Sequence, residues 1–223
     1  MKDQKEETAL ETNDLLTKGQ LFFEKNGKLI IIIVCAILVI LALIFGLRKW
    51  YFQPRDVQAS EEMFAAEQWF GQGNYELALN GNDNHLGFLG MIDEYGNTKA
   101  GNLAHYYAGV SQLRLGNYDE AISQLKKYKA TDLFTKPMAL MCQADAQMEA
   151  GRTQEAIDLY LKAAKASDNF VSAPTALFKA GMGYIILGNG AKAIDCFKQI
   201  KANYPESSEW SEVDKYMAYA ENM

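Results

Sequence analysis

The chain has 223 residues, 49% hydrophobic and 22% charged, with a formal net charge of −6 at pH 7. The apolar share excludes a wholly disordered chain, and the acidic balance excludes the basic footprint of a nucleic-acid binder. Three cysteines, Cys35, Cys142 and Cys196, are too few and too scattered for a disulfide framework or a zinc motif.

Residues 1–28 read as a charged tail. Leu29 to Leu47 is then a run of 19 uncharged, almost wholly apolar residues. As a helix it reaches roughly 28 Å, close to the hydrocarbon thickness of about 30 Å. It has no polar face, which an amphipathic core helix would show. A cleavable signal has a shorter apolar core and a small-x-small site, whereas this run ends in Arg48 and Lys49. We read 29–49 as an uncleaved transmembrane helix. Trp50, Tyr51 and Phe52 follow as an interfacial collar, with Arg48 and Lys49 snorkelling outward, and 50–57 is a juxtamembrane linker. Lys18, Lys25 and Lys28 on one side balance Arg48, Lys49 and Arg55 on the other, so flanking charge does not orient the span.

A phrase recurs beyond the linker: GQGNYELAL at 71–79, RLGNYDEAI at 114–122, EAGRTQEAI at 149–157 and ILGNGAKAI at 186–194. Gly73, Gly116, Gly151 and Gly188 mark the same point at gaps of 43, 35 and 37 residues, near the 34-residue tetratricopeptide period. Each glycine fits a left-handed helix end. Five residues later comes an alanine (Ala78, Ala121, Ala156, Ala193), where two antiparallel helices cross closely. Seven residues before the glycine stands Ala66, Gly109, Ala144 or Gly181. Nine after it, in the later three units, stands Leu125, Tyr160 or Phe197.

The pattern resembles tetratricopeptide repeats over about 58–206, with units near 58–85, 102–135, 137–172 and 174–206. Pro205 closes the last of them. Residues 207–223 read as an amphipathic cap, with Trp210, Val213, Tyr216, Met217, Tyr219 and Ala220 at helical spacing; a solenoid needs such a cover. The fold class is therefore all-α: one N-terminal transmembrane helix, then a repeat solenoid over 58–223 with a C-terminal capping helix. About eight extra residues lie within 81–100. Their middle reads as one or two helical turns with Leu86, Leu89 and Ile92 on one face, either packed on the first unit or set on the rim beside a binding surface.

In such a stack the first helices line the concave face. Counting from the glycines places Leu103, Tyr106, Val110 and Leu113 there in the second unit. The third unit gives Met138, Met141, Asp145 and Met148, and the fourth Thr175, Phe178, Met182 and Ile185. The face reads as mostly apolar and methionine-rich, suited to varied apolar segments of another protein, unless the terminal helix or the insertion fills it. No catalytic residue, metal site or cofactor motif stands out: there are two histidines, His105 on a repeat helix and His85 in the insertion, and no nucleophile or phosphate-loop signature. Asp119, Glu120 and Glu155 sit at second-helix starts, where they favour the helix dipole. The expectation is a binding protein and not an enzyme.

Leu21-Phe22-Phe23-Glu24-Lys25-Asn26-Gly27-Lys28 before the span and Arg48-Lys49-Trp50-Tyr51 after it, joined to a short repeat array, resemble the YfgM family of ancillary SecYEG translocon subunits. The insertion at 81–100 departs from that family's pattern. The resemblance implies a cytoplasmic tail, a single span in the bacterial inner membrane and a periplasmic repeat domain. It also implies partners: translocon subunits, a membrane-anchored periplasmic chaperone of the PpiD type, and unfolded or apolar protein segments. A scaffold for another envelope complex, in cell-wall or outer-membrane assembly, fits the same residues, as does an inverted topology.

Overall fold

The computed structural model describes residues 26–47, 53–130, 132–166 and 169–223. The tail before Asn26 lies outside the described residues, as do Arg48, Lys49 and the aromatic collar. The chain divides into two compact units, Met1–Pro54 and Arg55–Met223.

The first unit holds α1 (Asn26–Leu47), a 22-residue helix with a mean hydropathy of 3.5 over its most apolar window. It is long and apolar enough to cross a membrane. Its side chains are exposed almost throughout, from Leu29 at 58% to Phe45 at 69%.

The second unit is built of helix pairs with two further helices, α4 (Phe88–Tyr95) and α11 (Val213–Glu221). In order they are α2 (Gln53–Gly71), α3 (Tyr75–Asn80), α4 (Phe88–Tyr95), α5 (Lys99–Arg114), α6 (Tyr118–Lys127), α7 (Thr135–Glu149), α8 (Thr153–Ala166), α9 (Ser172–Ile186) and α10 (Gly190–Asn203). A 3-10 turn, Ser208–Ser211, and α11 (Val213–Glu221) close the chain. There is no strand among the described residues; Gly81 and Leu86 form an isolated bridge. The first helix of each pair starts two to five residues ahead of the boundaries counted from the glycines. In particular α2 takes up most of the segment read as a linker.

The four marker glycines do what their positions require. Gly73, Gly116, Gly151 and Gly188 have φ of 79, 82, 76 and 72°. At Gly116 the amide donates to Leu113 O at 3.2 Å and the next amide, Asn117, to Gln112 O at 2.9 Å. The same double closure recurs at the other three; it is the Schellman motif, which satisfies the orphan carbonyls of a helix end. The alanines five residues on are all fully buried. In the second and fourth units the small residue of the first helix receives the bulky residue of the second. A Cβ on Gly181 would stand 2.5 Å from Phe197 Cε1, and one on Gly109 would stand 2.5 Å from Leu125 Cγ. Sequence spacing thus becomes interhelical contact: a side chain is missing on one helix where the partner's fills the gap.

Two elements depart from the sequence reading. α4 packs on the first unit, one of the two placements expected, but it does so through Phe88, Met91 and Tyr95, all buried in one cluster with Ala59, Met63, Ala66 and Leu79. Leu86, Leu89 and Ile92 flank that cluster half-buried. The cap is shorter than expected: Val213 and Ala220 are buried, while Tyr219 is 59% exposed. Trp210 lies outside α11, under Lys201 Nζ at 3.6 Å from its ring.

Cys196 is buried in the last cluster, and burial pushes its thiol from the usual 9.0 up to about 11. The fold therefore favours the neutral thiol, and the unfolded chain loses its proton first. That stabilisation is complete below the unfolded pKa and is lost as pH rises towards 11. Denaturant midpoints should hold to about pH 8 and fall by about pH 10.5, and Cys196→Ala should flatten the slope.

Candidate partner-binding groove

The helices α5, α7 and α9 lie side by side, and their inward faces enclose an open cavity of about 510 Å³. Val110, Leu113 and Arg114 line it from α5, Cys142, Asp145, Met148 and Glu149 from α7, and Lys179, Met182 and Ile186 from α9. Tyr118 and Tyr160 reach it from the second helices α6 and α8.

The floor is polar. Lys179 Nζ lies 2.7 and 2.9 Å from the two carboxylate oxygens of Asp145. The Tyr160 hydroxyl donates to Asp145 Oδ1, and Lys179 Nζ sits 5.7 Å above the Tyr160 ring. The side chains of Lys179 and Asp145 are 39% and 30% exposed, so solvent screens the pair and its worth to stability is about 1 kcal/mol or less. Burial, then the hydrogen bond to Asp145, push the Tyr160 hydroxyl far up, so it stays a donor at neutral pH. Burial and the Asp145 charge also raise the Cys142 thiol. A thiol held neutral is a poor nucleophile. Arg114 and Glu149 add one charge of each sign at the rim, so the cavity is balanced and amphipathic.

Of the residues counted onto this face, Val110, Leu113, Asp145, Met148 and Met182 meet at the cavity. The rest do not line it. Leu103 packs half-buried on the first cluster. Tyr106 packs edge-on and tilted among Tyr107 and Tyr128, with ring centroids at 5.7 and 5.5 Å. Met138 is 46% exposed near the start of α7. Met141 and Ile185 are half-buried against the last cluster. Thr175 Oγ1 donates to Glu209 Oε1 at 2.6 Å. Phe178 is covered by the cap, with its ring 5.1 Å from that of Tyr216 on α11. The terminal segment therefore covers the outer end of the face and leaves the middle open.

The mostly apolar, methionine-lined groove needs correction for the same reason. Lys179 and Cys142 stand one position beyond Phe178 and Met141, and the count followed one line of residues along each helix where the cavity draws on two. Tyr160 carries a signal of its own: it is the polar member of the Leu125, Tyr160, Phe197 series, and a buried tyrosine needs a partner for its hydroxyl. His105, as a packed histidine, has Nδ1 2.8 Å from Gln124 Oε1 on α6.

Residues 103–131 and 142–208 each match a tetratricopeptide-repeat family. The chain carries tetratricopeptide repeats. Its fold is similar to the crystal structure of the MamA protein, with a TM-score of 0.58 over 73% of this chain and 80% of that one, at 18% identity. No curated protein sequence matches the chain. Repeats of this type form extended protein-interaction scaffolds, and the chain's partners are accordingly proteins.

Proposed function

We propose that the chain is a membrane-anchored adaptor that holds a segment of another protein in the groove between α5 and α9. In this reading it is an ancillary translocon subunit that assists secreted or envelope proteins at the periplasmic face together with a membrane-anchored chaperone. The observation that carries the proposal is the presence in one chain of a bilayer-length apolar helix, α1, and repeats with an open cavity at their centre. The likeness of residues 21–28 and 48–51 to the YfgM family supports the translocon as the site of action, the tail in the cytoplasm and the repeats in the periplasm.

The groove suits this role physically. Met148, Met182 and Val110 offer adaptable apolar contact, while Lys179, Asp145 and Tyr160 give hydrogen bonds that fix a backbone or a polar side chain. Anchoring keeps the groove near emerging chains, so a weak intrinsic affinity suffices. A second reading, a scaffold for another envelope complex, is favoured by α4, which departs from the pattern of that family.

Membranes bearing the full chain with a photo-crosslinker in place of Met148 test the first reading: translocon subunits should be recovered as adducts. Cell-wall or outer-membrane assembly proteins without any translocon subunit would reject it in favour of the second. Alkaline phosphatase fused after Met223 should be active; an inactive fusion would place the repeats in the cytoplasm and sink the exit-side role.

A further inference from the structure

The most exposed large apolar residues of the Arg55–Met223 unit are Val171 at 78%, Phe134 at 72% and Leu133 at 69%, with Phe170 at 57% beside them. They sit in the two loops that lead from one helix pair to the next, just before α7 and just before α9. Consecutive helices joined by tight turns run antiparallel, so every first helix starts at the same edge of the stack. These loops therefore share one edge with the starts of α2, α5, α7 and α9.

Contacts trace that edge. The Arg55 guanidinium donates to Glu94 O, and Lys99 N donates to Asp56 Oδ1 at 3.2 Å, which joins the start of α2 to the start of α5. Asn102 and Lys129 exchange two hydrogen bonds of 2.9 Å, which joins the start of α5 to the loop that carries Leu133 and Phe134. Val57, in the first turn of α2, is 56% exposed on the same edge.

In the sequence, five residues separate Leu47, the end of the apolar helix, from Gln53, the start of α2. Charge also favours a lipid surface. Residues 126–136 carry Lys126, Lys127, Lys129 and Lys136 against Asp132 alone, all five exposed, in a chain whose net charge is −6. An apolar loop tip flanked by lysines, as at Leu133 and Phe134, is the composition of an interfacial contact with an anionic lipid surface.

We infer that the inter-repeat loop edge, through Leu133, Phe134, Phe170 and Val171, rests on an anionic bilayer surface. The inference rests on the reading of α1 as a membrane span. A solenoid seated on this edge has its helices roughly along the surface normal and presents its Gly116, Gly151 and Gly188 turns away from the membrane.

The test uses the full chain in liposomes of phosphatidylethanolamine and phosphatidylglycerol, with and without doxyl-labelled lipid. Phe134→Trp, Val171→Trp and, at the opposite edge, Gln154→Trp each add one emitter, read as the difference from the parent chain. The added emission of F134W and V171W should fall roughly twofold with the quencher, and that of Q154W should not. Unquenched F134W and V171W in chains that still resist carbonate extraction would overturn the lipid contact and leave the anchor standing. Release of the parent chain by carbonate would overturn the anchor and this inference with it. Equal quenching of all three would also reject a seated edge.

Discussion

Phe197→Ala should lower the unfolding free energy of the repeat unit by about 3–5 kcal/mol, the range for emptying a buried aromatic site. Phe197 is fully buried. Its ring occupies the space that Gly181 leaves vacant and lies 5.9 Å from the ring of Phe178 and 6.1 Å from that of Tyr216. Truncation removes the ring's contacts with α9 and α11 at once, and Gly181 has no side chain to fill the gap. The aromatic pairs add about 0.5–1.5 kcal/mol each to what area alone would give. A solenoid is held by nearest-neighbour interfaces, so the loss should be felt first at its end. Amides of α10 and α11 should exchange faster than those of α5 and α6, and the denaturation curve should broaden. A loss below about 1 kcal/mol, with uniform exchange, would show that the last pair does not depend on this contact.

The positions that make that contact are legible in the sequence, though not that they meet. The glycine, the alanine five residues on, the small residue seven before and the bulky residue nine after are each fixed by backbone geometry or by close approach of two helices. Such constraints act locally and repeat, so they print themselves on the sequence. The groove is less legible, because a cavity wall is set by how three helices tilt. Asp145 could be placed on the inward face by counting, but its partner Lys179 is 34 residues away, and nothing in the spacing pairs them. Phe178 illustrates the converse: it faces inward as counted, yet Tyr216 covers it, since an end repeat has one neighbour that is not a repeat. In the insertion the buried face differs from the one the spacing predicts, because α4 has apolar residues on most sides. Phe88, Met91 and Tyr95 are the buried ones because the return of the chain at Gly81 sets which side meets α5.

That return gives the second large effect. Gly81→Ala should cost about 4 kcal/mol or more, whereas Gly116→Ala should cost about 1–2 kcal/mol. Both glycines have positive φ, 75° and 82°. An added Cβ at Gly116 meets nothing within 4 Å, so the penalty there is conformational alone. At Gly81 the same atom would stand 2.3 Å from Gly87 N and 2.5 Å from His85 O. These are backbone atoms, which a rotamer change cannot move. The loop between them is already closed: Asn82 N donates to His85 O at 3.0 Å, and Asn82 Oδ1 accepts from Asn84 N and His85 N, each at 3.0 Å. Room for the methyl group must come from opening this loop, which draws Phe88 and Met91 out of the first cluster, where both are fully buried. Trp69 reports the event, since its ring lies 6.3 Å from that of His85. Its emission should shift to the red in G81A and stay unchanged in G116A, with the helical signal of α7 to α10 preserved in both. Equal costs for the two substitutions would mean that φ alone governs position 81 and that the packing of α4 does not depend on the tight return.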